Sequence, residues 1–501
     1  MTDSSTSSRE EQFRKCALLV ALYAIPPFLI LYAVNILDAD MWWHLRTGQW
    51  IVEHRAVPHT DSFSWTGMGQ PWAAYSWLFE LLIYGLFRWF GLLGILGYAY
   101  VMVLAIAVAL HSLIRKFEPR LAQSVGLTAL ALVAMTRIWS PRPWLFTILF
   151  FCIELNVLVS VRRSSNFKHL LWLLPLFALW ANLHIQFLYG FCVLGAAAVE
   201  EPVVRLLGNR WSDSDTDKPL PFRWMVLIII GSMLAIMVNP YHFHIYSVLL
   251  DTMRLGDLYR LVSELQALPF RSFPDWLVLL LVLGAAFVMG REQKVSPFWL
   301  LLFVGSAFVS FRGNRDVWFV VIVAATIIAR YIGMIPGYAG EGRARPVRLS
   351  GRLLVVVCLV TAVLLALTIG TYRISNAELQ KRVDGYYPAA AIAFIEEHQL
   401  PGPLYNHFNW GGYLVWNLPR LPVSIDGRSN IHYPDRLSRA LDVWNGKPGW
   451  RSDNELSNSR LVIAQHEMAL TQLLRLDDQW RVVYEDPIAA VFVRVGAGPQ
   501  K

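Results

Sequence analysis

Ionisable side chains are concentrated directly after the first apolar run of the chain. The segment 38–48 reads Asp-Ala-Asp-Met-Trp-Trp-His-Leu-Arg-Thr-Gly, so Asp38 and Asp40 precede His44 and Arg46. A carboxylate can take a proton from an attacking hydroxyl group, and a guanidinium binds phosphate through paired hydrogen bonds. Arg46 could bind phosphate or form a simple salt bridge, and His44 could contact a substrate or serve the fold. Such a cluster at the boundary of a membrane predicts a polar site.

The composition is that of a polytopic membrane protein with a modest soluble part. The chain has 501 residues, of which 55% are hydrophobic and 16% are charged. A spanning helix needs about 20 apolar residues. Runs of that kind predict about eleven spans, at 17–37, 91–113, 121–139, 143–161, 169–186, 188–207, 224–240, 275–291, 297–311, 316–334 and 352–372.

The net charge of +8 is a topology signal, because the basic residues fall in the short loops between these runs. We therefore expect a protein of the inner, cytoplasmic membrane that binds membrane lipid and no nucleic acid. Eleven spans place the N-terminus in the cytoplasm and the C-terminus outside. The amphipathic stretch 76–90, which Glu80 and Arg88 interrupt, is predicted to be an interfacial helix; a twelfth span there would invert every later loop. The four cysteines show no ligand spacing and imply no disulfide or zinc site.

This topology gathers the unusual polar residues of the later loops on the outer face, which predicts a site there. The alternative for each residue is a helix end whose side chain reaches towards the interface. The residues are Arg142, Asn182, His184, His242, His244, Arg312 and Arg315.

From residue 373 onward the composition becomes that of a soluble domain. Helices are predicted near 388–399, 434–444 and 467–476, and β-strands at 404–408, 423–426, 461–465, 480–485 and 489–495. The predicted organisation is a transmembrane domain at 1–372, with the first outer loop at 38–75, and a small extracytoplasmic α/β domain at 373–501. Asp426-Gly-Arg428 follows an apolar run and predicts a loop that exposes charged side chains. The neighbouring Trp410-Gly-Gly-Tyr413 could form a carbohydrate-facing surface or a packing surface, and packing is favoured.

The chain resembles the GT-C superfamily of integral-membrane glycosyltransferases. The likeness lies in one apolar anchor, a first outer loop that opens with an acidic pair, and a C-terminal domain outside the membrane. Several short sequence motifs are similar to those of a bacterial branch described as glycosyltransferase-like. They are the 38–48 segment, Arg-Pro-Trp-Leu-Phe, Trp-Ala-Asn-Leu-His, Trp-Gly-Gly-Tyr-Leu-Val-Trp and Ile-Asp-Gly-Arg.

The resemblance implies transfer of a sugar from a polyprenyl-phosphate donor to a glycan, lipid or protein acceptor at the outer face. In GT-C enzymes the base is typically an acid of the first outer loop, which corresponds here to Asp40 or Asp38. Asp40 is preferred because Asp38 could cap the next helix. Some members use a divalent metal at these acids, such as Mg²⁺ or Mn²⁺, but the His-x-His pair at 242–244 does not by itself predict one. The expected ligands of the donor phosphate are Arg142, Arg312, Arg315 and Arg46.

Two other classes of protein remain as alternatives. A lipid or solute transporter predicts ionisable groups near the middle of spans, and Glu154 lies inside one. A noncatalytic scaffold that binds an envelope partner predicts that Asp38 and Asp40 can be replaced without loss of function.

Overall fold

The computed structural model describes residues 3–33, 38–208, 218–254, 261–292, 294–332, 351–432 and 435–496. These residues form many helices and one small β-sheet. In chain order the helices are α1 (Asp3–Ala33), α2 (Met41–His54), α3 (Trp77–Phe90), α4 (Leu92–Phe117), α5 (Leu121–Ala134), α6 (Trp144–Ser164), α7 (Leu173–Leu183), α8 (Leu188–Leu207), α9 (Phe222–Ile236), α10 (His244–Arg254), α11 (Phe273–Gly290), α12 (Pro297–Arg312), α13 (Val317–Ile332), α14 (Gly351–Thr371), α15 (Asn376–Asp384), α16 (Ala389–Glu397), α17 (Phe408–Asn417), α18 (Ser429–His432), α19 (Asp435–Trp444), α20 (Asn454–Asn458) and α21 (Ala469–Leu476). The strands are β1 (Leu404–Asn406), β2 (Leu461–Gln465), β3 (Trp480–Glu485) and β4 (Ala489–Arg494).

The chain divides into two compact units. Unit 1 comprises residues 1–34, 96–242 and 262–374, and unit 2 comprises residues 35–95, 243–261 and 375–501. The predicted domain boundary at 372–373 lies between the end of α14 and the start of α15. The predicted first outer loop and interfacial helix group with the C-terminal residues in unit 2.

The apolar helices make the chain a multi-pass membrane protein. Among the described residues, six helices are long and apolar enough to cross a membrane: Glu10–Ile30, Leu92–Phe117, Trp144–Ser164, Ile185–Leu207, Phe273–Gly290 and Gly351–Thr371. All eleven predicted runs coincide with helices, because a chain in hydrocarbon must pair its own backbone groups. Five of these helices are shorter than a straight span requires, so the number of crossings stays a prediction.

Unit 1 is a helical bundle in which α12 and α13 pack against each other, α8 packs on α12, and α11 packs on α13. Its core includes four tryptophans with almost no exposed surface: Trp139, Trp180, Trp299 and Trp318. At one end of the bundle Arg162 pairs with Glu200, whose other carboxylate oxygen accepts from Ser296 Oγ. Such a pair satisfies two charges that the bundle interior would otherwise leave unpaired.

Unit 2 contains a four-stranded sheet with the order β1-β2-β4-β3. Strand β1 runs parallel to β2, whereas β4 pairs antiparallel with both β2 and β3. Alternate residues of β2 and β4 point to one face. There Val462 and Phe492 pack with Trp444 of α19 and Leu470 of α21 in a buried core.

Four of the five predicted strands are present, and the strand predicted at 423–426 is absent. Only Val423 makes an isolated bridge, to Ser64. The backbones of Ser424 and Ile425 instead form hydrogen bonds with the Asn406 side chain. Asn406 Oδ1 accepts from Ser424 N at 2.9 Å, and Asn406 Nδ2 donates to Ile425 O at 2.8 Å. A side chain here replaces the neighbouring strand of a sheet. The three predicted helices of this region are confirmed as α16, α19 and α21.

Candidate functional site

The two acidic residues that open the 38–48 segment have different hydrogen-bonding roles. The Asp38 carboxylate accepts from the backbone N–H of Asp40 at 3.0 Å, and the Asp38 carbonyl accepts from Met41 N at 3.2 Å. Asp38 is buried and stabilises the turn that begins α2. Asp40 is half-buried at the N-cap position, and its side chain makes no capping hydrogen bond to α2. The Asp40 carboxylate is thus not used to cap the helix.

The Asp40 carboxylate lies against a glycine that is far away in the sequence. A Cβ atom placed on Gly427 would lie 1.8 Å from Asp40 Oδ1 and 3.1 Å from Trp43 Nε1. A Cβ on Gly412 of α17 would lie 2.4 Å from the Ala39 carbonyl oxygen. We call this arrangement of Asp38, Asp40, Trp43, Gly412 and Gly427 the Asp40 site. The close approach of backbone at 412 and 427 requires residues without side chains.

A buried ion network fixes the residues on either side of Gly427. The prediction that Asp426 and Arg428 are exposed is wrong, because the two charges pair with each other in the interior of unit 2. Arg428 has no exposed side-chain surface and donates from Nε and Nη2 to the two oxygens of Asp426, at 2.9 and 2.6 Å. Its Nη1 donates to Asp61 Oδ1 at 2.7 Å. The guanidinium also lies 4.9 Å from the Phe63 ring centroid and 4.7 Å from that of Trp72. A planar guanidinium suits this combination of paired bonds and aromatic stacking.

Charges within the network determine the ionisation of the Asp426 carboxylate. Burial alone raises the pKa of Asp426, but the charges of Arg428 and His432 outweigh it and hold that pKa far below its ordinary value. Burial lowers the pKa of Arg428, and its two aspartate partners reverse this and raise it. Asp61 also accepts from Phe63 N at 2.9 Å. Arg428 therefore favours the ionised form of Asp426 and joins the 61–72 segment to the 426–428 turn.

A second buried acid lies near the same residues. Glu80 of α3 contacts His44 of α2, with 3.2 Å between Oε1 and Nδ1, and both side chains are almost fully buried. Burial raises the pKa of Glu80 well above its usual value, with a smaller opposing effect from Arg428. Gly48 permits the contact of these helices, because a Cβ there would lie 2.1 Å from the Glu80 carbonyl oxygen. The raised pKa favours the protonated form of Glu80, which lies beside the histidine.

The Trp-Gly-Gly motif is a packing element. A Cβ on Gly411 would lie 2.0 Å from Ile425 O, so α17 lies directly on the Asp426 turn. Trp410 and Tyr413 are buried, and Tyr413 stacks on Tyr387 with ring centroids 4.4 Å apart. The aromatic rings therefore serve the interior of unit 2 and do not form an exposed carbohydrate surface.

Three of the predicted residues of unit 1, Arg142, His184 and Arg315, lie at the ends of its helices. Arg142 pairs with Glu264 at 3.0 Å. Arg315 is half-buried, its Nε has no hydrogen-bond partner among the described residues, and its charge acts on the buried His184. His184 Nδ1 lies 2.8 Å from Thr147 Oγ1.

Another contact joins the ends of two helices of unit 1. Asn182 Nδ2 donates to the Val238 carbonyl at 2.7 Å, which joins the end of α7 to the end of α9. Arg312, the last residue of α12, is exposed. The loop after α9 therefore lies beside the end of α7, and Arg315 Nε is a buried donor without a hydrogen-bond partner among the described residues.

The remaining predicted residues have local contacts or are exposed. Arg46 donates to Gln49 on its own helix at 2.8 Å. His242 is exposed with a positive φ of 45°, and His244 Nδ1 contacts Ser247 at 2.8 Å. Among the residues that the structure describes, no three His, Cys, Asp or Glu side chains are grouped so that they could hold a metal ion.

Asp61 and Gly427 were not identified as site residues from the sequence, and Glu80 was noted only as an interruption of an apolar stretch. Asp61 begins an Asp-Ser-Phe-Ser turn, whose local hydrogen bonds are a recognisable signal. Its partner Arg428, 367 positions away, gives no such signal.

No family model matches the chain, and no curated protein matches it. Among solved structures, the chain is similar to ArnT from Cupriavidus metallidurans in the apo state. The similarity covers 97% of this chain and 99% of that one, with 14% sequence identity and a TM-score of 0.48. This likeness concerns overall fold and assigns no residue or substrate.

Proposed function

We propose that this chain is a GT-C-type membrane glycosyltransferase that uses a polyprenyl-phosphate sugar and acts at the extracytoplasmic face of the inner membrane. The observation that carries the proposal is the different use of two neighbouring carboxylates. Asp38 stabilises the turn before α2, whereas the Asp40 side chain makes no capping bond and lies at a glycine turn fixed by a buried ion network. Asp40 is the proposed base.

The proposed reaction is a direct displacement at the anomeric carbon. The acceptor oxygen forms a bond to that carbon while the bond from the carbon to the phosphate oxygen breaks, and the electron pair leaves with the phosphate. Asp40 takes the acceptor proton as the new bond forms. Cationic donors stabilise the charge that develops on the leaving phosphate.

Arg315 is the proposed principal ligand of the donor phosphate. Its Nε is a buried donor without a partner among the described residues, and a guanidinium in such a setting favours an anion. Arg142 is a weaker candidate because Glu264 already pairs with it. Arg312 and Arg46 remain proposed ligands, and a divalent metal remains a proposal through which no step is drawn.

The decisive experiment is turnover of polyprenyl-phosphate sugars by the purified full chain in lipid. We expect the wild type to release the lipid phosphate and Asp40→Asn to lower the rate by a factor of about 10² to 10⁴, the usual contribution of a general base. Asp38→Asn should affect stability more than turnover. Glu53→Gln, which changes an exposed carboxylate of the same helix, is the control.

Unchanged turnover in Asp40→Asn would show that Asp40 is not the base. Unchanged turnover in an Asp38→Asn/Asp40→Asn double variant would remove the proposed mechanism, and the base would then have to be sought among the later polar loops. Absence of turnover in the wild type and in every variant would favour the scaffold alternative.

A further inference from the structure

A groove of about 990 Å³ lies on unit 1 between α4 and α6. It forms because the residues of α4 that line it include Ala105, Ala109 and Ser112, whose small side chains do not fill the space beside α6. Val101 and Val108, 59% and 48% exposed, lie along its edge. The groove is therefore open to the surroundings of the bundle along an apolar stretch.

The lining of the groove becomes polar towards the C-terminal end of α4. Ser112 Oγ donates to Asn156 Oδ1 at 3.3 Å. Asn156 Nδ2 in turn donates to the carbonyls of Ala109 and Cys152, each at 2.9 Å. The groove is thus apolar at one end of its long axis and polar at the other end.

A cation lies at the polar end. Lys116 Nζ donates to the Asn156 carbonyl at 2.7 Å and to Ser160 Oγ, and both acceptors are neutral, so neither cancels its charge. Arg163 Nη1 donates to the Lys116 carbonyl, and its guanidinium lies 4.7 Å from the Phe117 ring centroid. The guanidinium of Arg330 lies 5.3 Å from the same ring. Three cations are therefore close together at the end of this groove.

We propose that the groove binds an anionic glycerophospholipid, with an acyl chain along its apolar part and the phosphate beside Lys116. From Val101 to Lys116 the helix rises about 22 Å, more than half the thickness of about 30 Å of a hydrocarbon core. Trp172, 71% exposed at the rim, belongs to the residue type that prefers the headgroup level. Basic groups between spanning helices select anionic headgroups. The polar groups at Asn156 match the ester region between chain and phosphate.

Native mass spectrometry of the purified full chain tests this directly. The protein is titrated with phosphatidylglycerol and with phosphatidylcholine of identical acyl chains. We expect the wild type to prefer phosphatidylglycerol by at least about fivefold, the factor that one juxtamembrane cation contributes. Lys116→Gln should lower the preference towards one, and Lys116→Arg should retain it. Lys294→Gln, an exposed lysine in the loop before α12, is the matched control and should leave the preference unchanged.

A second variant tests the groove itself. Ala105→Phe fills its apolar part and should lower the occupancy of both lipids without changing the preference. Equal binding of the two lipids by the wild type would overturn the proposal. A phosphatidylglycerol preference that survives in Lys116→Gln, or full occupancy in Ala105→Phe, would overturn it as well.

Discussion

The carboxylate oxygen Oδ1 of Asp40 occupies the space that a side chain at Gly427 would need, 1.8 Å from the position of a Cβ atom. The two residues are 387 positions apart, and the ion network of Arg428 fixes the turn that contains the glycine. The position of the Asp40 carboxylate, the proposed base, thus depends on Gly427, which has no reactive side chain.

Gly427→Ala should therefore lower turnover strongly. The new methyl group must displace Asp40, and a displacement of about 1 Å at a reacting group can cost about 10²-fold in rate. The measurement is release of the lipid phosphate by the full chain. Gly85→Ala on α3 is the control, because a Cβ there meets nothing within 4 Å and alanine favours a helix. Equal rates for the wild type and Gly427→Ala would show that Asp40 does not act from this position.

Removal of the guanidinium from the buried network should destabilise unit 2. Arg428→Met leaves two buried carboxylates without their partner, and breaking such a pair costs about 3–5 kcal/mol. Arg420→Met is the comparison, because its pair with Glu396 is exposed and contributes less than about 1 kcal/mol. Thermal unfolding of both variants measures the difference. A small effect of Arg428→Met would mean that the two carboxylates become protonated at little cost.

The same network gives stability a defined dependence on acid. The pKa of Asp426 is lower in the folded chain than the value of about 3.9 that an unfolded aspartate has. Its contribution to stability is thus fully present above about pH 4 and is lost as the pH falls towards the folded pKa. Unfolding midpoints measured from pH 6 down to pH 3 should fall, and Asp426→Asn should flatten this decline. A decline of the same steepness in the variant would assign it to other carboxylates.

Glu80 should have the opposite dependence. Its pKa is raised by burial, so the folded chain binds this proton more tightly than the unfolded chain does. The resulting stabilisation is present below the unfolded pKa of about 4.3 and is lost as the pH rises through the folded value. Glu80→Gln keeps a neutral partner for His44 and should gain stability relative to the wild type as the pH rises. Glu53→Gln, which removes an exposed carboxylate of α2, is the control. A gap between Glu80→Gln and the wild type that is independent of pH would mean that burial does not raise the pKa of Glu80.

The apolar helices and most of the small sheet could be predicted from the sequence, because hydrophobic runs and alternation act over short distances. Helix α17 was not predicted, since two adjacent glycines disfavour a helix. Glycine is required at both positions of this helix, because a Cβ on Gly411 would collide with Ile425 O and a Cβ on Gly412 would collide with Ala39 O. Asp38 and Asp40 can be identified as candidate site residues from the sequence around them. Asp61, in contrast, has its role only because it pairs with the distant Arg428. Contacts between segments that are distant in the sequence and adjacent in the fold could not be predicted in this way.

Substitutions of Arg315 and Arg142 in unit 1 should differ in their effect on donor binding. Arg315→Gln removes a buried donor whose Nε has no partner among the described residues, and a hydrogen bond to a charged group contributes about 1.5–3 kcal/mol. We therefore expect the donor KM to rise by a factor of about 10 to 100. Arg142→Gln should raise it less, because Glu264 already holds that guanidinium at 3.0 Å. Arg291→Gln, an exposed cation after α11, controls for the loss of one positive charge. If Arg142→Gln raises KM more than Arg315→Gln does, the donor phosphate displaces Glu264 and Arg142 becomes the principal ligand.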